Sequence, residues 1–226
     1  MLKVKPHPDY PCEPGRYIRG NDYSPAAVVI ILNTDEDKIP PEIEALVRAG
    51  AEGGAALSGT MQTPNIGFEK MICNIVANPN IRYLILGGPE SEGHQTGAAL
   101  KALMANGVDE KKMIIGTDAL HPYLYNVPAE FIEHFRKQII LIDLQFQGNP
   151  EIIRKAVWSC YQEKPVEFMG YTLHDEGAFP EPPLSGKLTW QVTQPWSVPC
   201  DENEQDAMQK AKDLMERLKK KMSINQ

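Results

Sequence analysis

Glu92, His94 and Gly97 stand in E-x-H-x-x-G spacing within IRYLILGGPESEGHQTG, residues 81–97. A histidine can ligate a metal through one ring nitrogen while the other donates a hydrogen bond to a carboxylate, and Glu92 is the carboxylate nearest in sequence for that second role. Gly87, Gly88, Gly93 and Gly97 allow tight turns and close approach of backbone to a large ligand. The apolar run Ile81–Leu86 reads as a buried strand, so the imidazole is carried where a strand opens into a loop. An ordinary surface contact between a histidine and a carboxylate has the same residue types, and the spacing alone does not separate the two readings.

Such a loop needs a sheet edge to stand on. Ala26–Leu32, AAVVIIL, is a continuous apolar run of the kind a central parallel strand shows when both faces are covered. Pro40-Pro41 opens a helix over 42–49 ended by Gly50, and 53–58 reads as a strand of small residues. Thr63-Pro64 places a capping hydroxyl before a proline, and Ile66, Met71, Ile72, Ile75 and Val76 give the next helix an apolar face that Asn78-Pro79-Asn80 terminates. Strand 81–86 and the histidine loop follow, then a helix from Thr96 to Ala105, then a short strand over Met113–Ile115 ending at Gly116. This alternation predicts an α/β domain, a Rossmann-like parallel sheet with right-handed crossovers and helices on both faces.

Ligands of open α/β sheets collect outside the carboxyl ends of the strands. Three loops are therefore expected to form one site. Ser58, Gly59 and Thr63 come from the first; Gly87, Gly88, Glu92, Gly93, His94 and Thr96, with Gly97 directly after, from the second; Gly116, Thr117 and Pro122 from the third. His94 is the member able to ligate a metal.

Residues 1–25, with Pro6, Pro8, Pro11, Pro14 and Gly15, are expected as an extended arm lying against the domain, which spans 26–165. A long helix is predicted from Ala129 to Leu144 and another over 151–162 after Gly148-Asn149-Pro150. Residues 166–226 read as a connector followed by a small strand–helix appendage. KLTWQV, 187–192, alternates like a half-exposed strand, and 201–222 carries Met208, Leu214, Met215 and Leu218 on one side of an amphipathic helix expected to pack on the body of the protein.

The whole chain has 226 residues and is 42% apolar, enough for one main core and a smaller appendage. A net charge of −7 argues against a nucleic-acid partner, which needs clustered positive charge. Cys12, Cys73, Cys160 and Cys200 are scattered, without a C-x-x-C pair, and fit free thiols in a reducing cytoplasm. No window approaches the roughly 20 apolar residues of a membrane helix, so a soluble, cytoplasmic protein with no membrane span is expected.

Other constellations carry less. His121 in DALHPYLYNV begins a turn beside a proline; Glu130, Glu133 and His134 lack the second histidine of a zinc helix; His174-Asp175-Glu176 reads as a surface turn. Leu86-Gly87-Gly88-Pro89 matches neither phosphate-binding glycine motif, and no G-x-S-x-G elbow occurs. Cys73 and Cys160 fall within helices and are expected as packing residues.

The histidine loop resembles the D-x-H-x-x-G motif of methyl-carrying corrinoid proteins, with Glu92 in the aspartate place. Over about residues 14–145 the resemblance sharpens. The N-P-N-I-R entry into the strand, the G-H-x-T-G loop and the P-Y-L-x-N-V segment occur in the order and spacing of the soluble domain of the A subunit of tetrahydromethanopterin S-methyltransferase. That resemblance implies a Rossmann-like fold and a bound cobalamin with His94 below cobalt. It also implies a carrier role, in which cobalt(I) accepts a methyl group from a methyl-pterin or other donor and passes it to an acceptor such as a thiol. The implied partners are a separate, H-subunit-like methyltransferase and a methyl acceptor system. The chain differs from the membrane-bound members in having TMQTPN at 60–65 where P-C-H-T-E-N is common, Gly87-Gly88 where Cys-Gly is common, and a strand and polar helix in place of a membrane helix. It therefore looks like a soluble homologue. A Rossmann-like module that has lost the cofactor and serves as a scaffold or small-ligand sensor is the alternative these departures leave.

Overall fold

A computed structural model of the chain describes residues 4–33, 39–161, 191–192 and 209. The elements run β1 (Tyr17–Arg19), β2 (Ala26–Ile31), α1 (Pro41–Glu52), β3 (Leu57–Met61), α2 (Ile66–Val76), β4 (Tyr83–Gly87), α3 (Thr96–Asn106), α4 (Ala129–Gln138), β5 (Ile140–Asp143), α5 (Pro150–Ser159) and β6 (Gln191–Val192). They form a sheet of order β5-β4-β2-β3-β1-β6. The pairs β5/β4, β4/β2 and β2/β3 are parallel, and β1 joins β3 antiparallel. This is the expected α/β class.

β2 is buried at every position and divides its side chains between two apolar layers. Ala27, Val29 and Ile31 pack with Ile72 of α2, Leu100 of α3 and Phe135 of α4. Val28 and Ile30 pack with Ile43 and Leu46 of α1 and Ile153 of α5. The doubly covered strand accounts for the unbroken apolar run. α1 continues through Gly50 to Glu52 rather than ending there, because at Gly50 the helix lies against Ser58 and Val28, where a Cβ would collide. β3 accordingly starts four residues later than the predicted strand and extends through Met61.

The first 25 residues are more than an arm. β1 pairs Tyr17, Ile18 and Arg19 with Gly59, Ser58 and Leu57, and Tyr10 is 2% exposed. Asn74 of α2 fastens the segment reciprocally, accepting from Glu13 N at 2.8 Å and donating through Nδ2 to Glu13 O at 3.0 Å.

Two further expectations change. The predicted helix to Leu144 ends at Gln138, and the β-branched run after it becomes β5. Gln138 is 3% exposed, and its Nε2 donates to the carbonyls of Ile75, Asn78 and Ile81, which stops the helix against the end of α2. Ile140 then pairs with Tyr83 at the edge of the sheet. Met113–Ile115 is no sheet strand: Met113 bridges Tyr123 and Ile114 bridges Val108, a small excursion between α3 and α4.

The chain divides into two units, Met1–Thr193 and Gln194–Gln226. Of the predicted 187–192 strand, Gln191 and Val192 are seen as β6, parallel to β1. The predicted helix over 201–222, apart from helical Gln209, and His174-Asp175-Glu176 lie outside the described residues. Among the described residues no helix is long and apolar enough to cross a membrane.

Candidate functional site

β4 delivers the chain to the carboxyl edge at Gly87. Gly88 then turns with φ 83°, and a Cβ there would stand 2.8 Å from the Ile31 carbonyl oxygen, so only glycine lets the turn pass over β2. Gly93 has the same positive φ with nothing within 4 Å of a Cβ, so there the requirement is conformational alone. His94 follows half-buried at the crest of the loop, and Gln95, at φ 47°, leads into α3.

The loop's organising acid is Glu90, not Glu92. One Glu90 oxygen accepts from Ser91 N and Gly97 N at 2.9 and 2.8 Å, and the other from Ala98 N at 2.9 Å and Gln145 Nε2 at 3.0 Å. Burial pushes this carboxyl up, but the donors from Gly97, Gln145, Ser91 and Ala98 outweigh it and hold the group below the usual glutamate range. The carboxylate thereby fills the positive end of α3 and leaves no room for an external phosphate there. Glu92 is exposed, and among the described residues no hydrogen bond or ion pair joins it to His94. The expected hydrogen bond from the imidazole to Glu92 is therefore not made.

Two buried hydroxyls close the base of the loop. Ser91 Oγ donates to Thr96 Oγ1 at 2.8 Å, and Thr96 Oγ1 donates to Gln62 O at 2.7 Å, tying the histidine loop to the segment after β3. The third participant is the segment after β5. Leu144 N donates to Leu86 O and Phe146 N to Gly88 O, both at 2.8 Å, and Gln145 reaches Glu90. Gly97 is glycine because Gln145 lies directly over it. The sequence reading ran a helix to Leu144 and gave Gln145 and Phe146 no role; the isoleucine-rich run 139–142 and the turn residues Gly148-Asn149-Pro150 are the signals that reveal a strand and loop here.

The other predicted members are dispersed. Ser58 and Gly59 lie within β3, not in a loop. Ser58 is fully buried and donates to Val47 O of α1 at 2.7 Å, away from the histidine layer, and a Cβ on Gly59 would strike Tyr17. Gly116 has φ 80° and abuts Asn106, the last residue of α3, whose Nδ2 donates to Ile115 O at 2.9 Å. An eleven-residue helix is about 16 Å long, so Gly116 sits at the opposite end of α3 from Thr96 and does not share a cleft with His94. Thr117 closes its own turn with Ala119 N, and Pro122 accepts from Ile114 N. The His121 carbonyl accepts from Nδ2 of the α2 cap residue Asn65 at 3.4 Å.

Gly59 and Thr63 instead line a separate cavity of about 230 Å³ between Pro14–Tyr17, the sheet and α2, with Val29, Met61, Ile66 and Met71 as apolar wall. It is below the roughly 300–1,000 Å³ of drug-sized ligand pockets.

Among the described residues no three His, Cys, Asp or Glu side chains converge to hold a metal ion. Those residues offer no chelating donor set; a metal already held in a macrocycle would need none, and His94 would be available to it as a half-buried imidazole without a hydrogen-bond partner among the described residues. Of the described cysteines, Cys73 is buried in the core, Cys12 contacts Asn74, and burial pushes the Cys160 thiol up to about 11. On α4, Glu133 pairs with Arg136 at 2.6 Å and His134 contacts Gln138 at 3.1 Å, as a structural helix face would.

Comparison with known proteins identifies the family. The family model for the A subunit of tetrahydromethanopterin S-methyltransferase matches residues 3–175. The A 2 subunit of that enzyme from Methanothermobacter thermautotrophicus is 39% identical over 190 residues, covering 83% of this chain and 92% of its own. The A 2 subunit from Methanothermobacter marburgensis is 41% identical over 182 residues, covering 80% and 86%. The A 1 subunit from the latter organism is 40% identical over 167 residues, covering 74% of this chain and 66% of its own.

Proposed function

The chain belongs to the family of the A subunit of tetrahydromethanopterin S-methyltransferase, and from that premise we propose that it is a cytoplasmic cobalamin-binding carrier component of a methyl-transfer system. The observation that carries this reading is the half-buried imidazole of His94, on a loop whose ends are fastened while Gly93 turns its crest. Cobalamin, when bound, supplies a cobalt centre able to take up a methyl group and give it away. The chain supplies the rest. Gly88 lets the chain turn over β2 and Gly93 leaves the loop crest without a side chain, Thr96 and Glu90 fix the loop ends, and His94 would hold the cofactor through an imidazole nitrogen.

No acid or base is required of the protein. Glu90 is committed to the helix end and Glu92 is solvated, so neither is poised for proton transfer. Methyl entry and exit then fall to separate partners, an H-subunit-like methyltransferase delivering from a methyl-pterin or related donor and an acceptor system such as a thiol. The test is reconstitution with hydroxocobalamin followed by gel filtration. A carrier elutes coloured with about one corrinoid per chain; a colourless protein with free cofactor trailing it defeats the proposal.

A further inference from the structure

Phe146 lies in the segment after β5 with φ 69°, a left-handed conformation that bulky side chains rarely adopt, and it is 71% exposed. Solitary exposed apolar residues are ordinary on protein surfaces, and Trp158, at 72% on α5, is one. Phe146 differs because its backbone carries strain that no burial of its own ring offsets. Glycine would take this φ freely, and asparagine nearly so.

The strained backbone is held from outside. Phe146 N donates to Gly88 O at 2.8 Å, Gln147 N to Leu144 O at 3.1 Å, and the adjoining Gln145 side chain joins Glu90 and accepts from Lys101 Nζ at 2.8 Å. The backbone presenting an aromatic ring to solvent is thus bonded to the turn glycine of the loop that presents His94. Structure that over-determines a strained conformation beside the histidine loop, while the side chain stands exposed, fits a ring held in place for a ligand contact.

We propose that Phe146 is a ligand-contact residue of this site, its ring packing against the apolar periphery of a bound corrinoid. The inference rests on the corrinoid reading above and extends it to a residue outside the histidine motif. It assigns the post-β5 segment a direct part in holding the ligand.

The test titrates the full-length apoprotein with hydroxocobalamin, following the visible spectrum, and melts each apoprotein. Phe146→Gly relieves the backbone and removes the ring, so its apoprotein should melt no lower than wild type while its Kd rises about tenfold. Phe146→Trp restores an aromatic surface and should bind within about threefold of wild type. A purely structural phenylalanine would give the opposite pattern, a lower melting temperature for the glycine variant and unchanged affinity once folded. Wild type that binds while Phe146→Gly binds equally well overturns this inference and leaves the carrier reading standing. Wild type that binds no hydroxocobalamin overturns both.

Discussion

Gln145 and Glu90, 55 residues apart in sequence, are joined by a 3.0 Å hydrogen bond that fastens the loop after β5 to the start of α3. The same Glu90 carboxylate accepts from the first free amides of the helix, so a single side chain sets the helix end and the spacing of two loops at the sheet edge. The histidine loop is therefore positioned by an acid two residues before the one its motif highlights.

Glu90→Ala should lower stability by about 1 kcal/mol, the usual magnitude for losing a helix-capping acceptor, read from urea unfolding. The charge adds a pH signature. Because the folded-state pKa is depressed, the stabilisation is complete above the unfolded-state value of about 4.3 and is lost as pH falls through the lower folded-state value. The difference in melting temperature between wild type and Glu90→Gln should thus be largest at neutral pH and shrink on acidification toward about pH 3. A difference constant across that range contradicts the assignment.

The two turn glycines of the loop should respond unequally to alanine. Both have φ 83°, but at Gly88 a Cβ would meet the Ile31 backbone and at Gly93 it would meet nothing. Gly93→Ala should cost about 1 kcal/mol of conformational strain, and Gly88→Ala distinctly more, because β2 and the turn must separate. Equal denaturation midpoints for the two variants would show that the loop passes β2 less closely.

Gln138→Leu should be among the more damaging substitutions outside the site. It removes the side-chain amide that bonds three buried carbonyls; Ile75 O and Asn78 O keep backbone donors, Ile81 O loses this one, and leaving such a group unsatisfied costs about 1–3 kcal/mol. Guanidinium unfolding measures it; a loss under about 0.5 kcal/mol would mean that water replaces the amide.

Part of this architecture is legible in the sequence, and the missed parts share a cause. The run 26–32 announces a central strand because both its faces are apolar, and Gly87-Gly88 announces the end of the next because the turn over β2 tolerates no side chain. The end of α4 is not legible. Phe135, Ile139 and Ile142 keep helical spacing into β5, and only the contact of Gln138 with carbonyls some 60 residues distant ends the helix. Ser58 and Gly116 fail for a similar reason: which way a strand hydroxyl points, and which end of α3 a glycine meets, depend on neighbours remote in sequence or on how the chain folds back after the helix. The residue types that do chemistry are local and readable, whereas their convergence is a tertiary property.

Corrinoid retention with a contact from His94 is the central proposal. The direct measurement is the visible spectrum and Kd of hydroxocobalamin on wild type and on His94→Ala, with melting curves for both apoproteins. Wild type should retain cofactor with a spectrum distinct from the free form, while His94→Ala loses that distinction and binds at least about tenfold more weakly, about 1.4 kcal/mol. Its apoprotein should melt within a few degrees of wild type, because a half-exposed loop side chain contributes roughly 1 kcal/mol or less. Identical spectra and affinities for the two proteins would contradict ligation by His94, and a wild type that retains no corrinoid would contradict the carrier function itself.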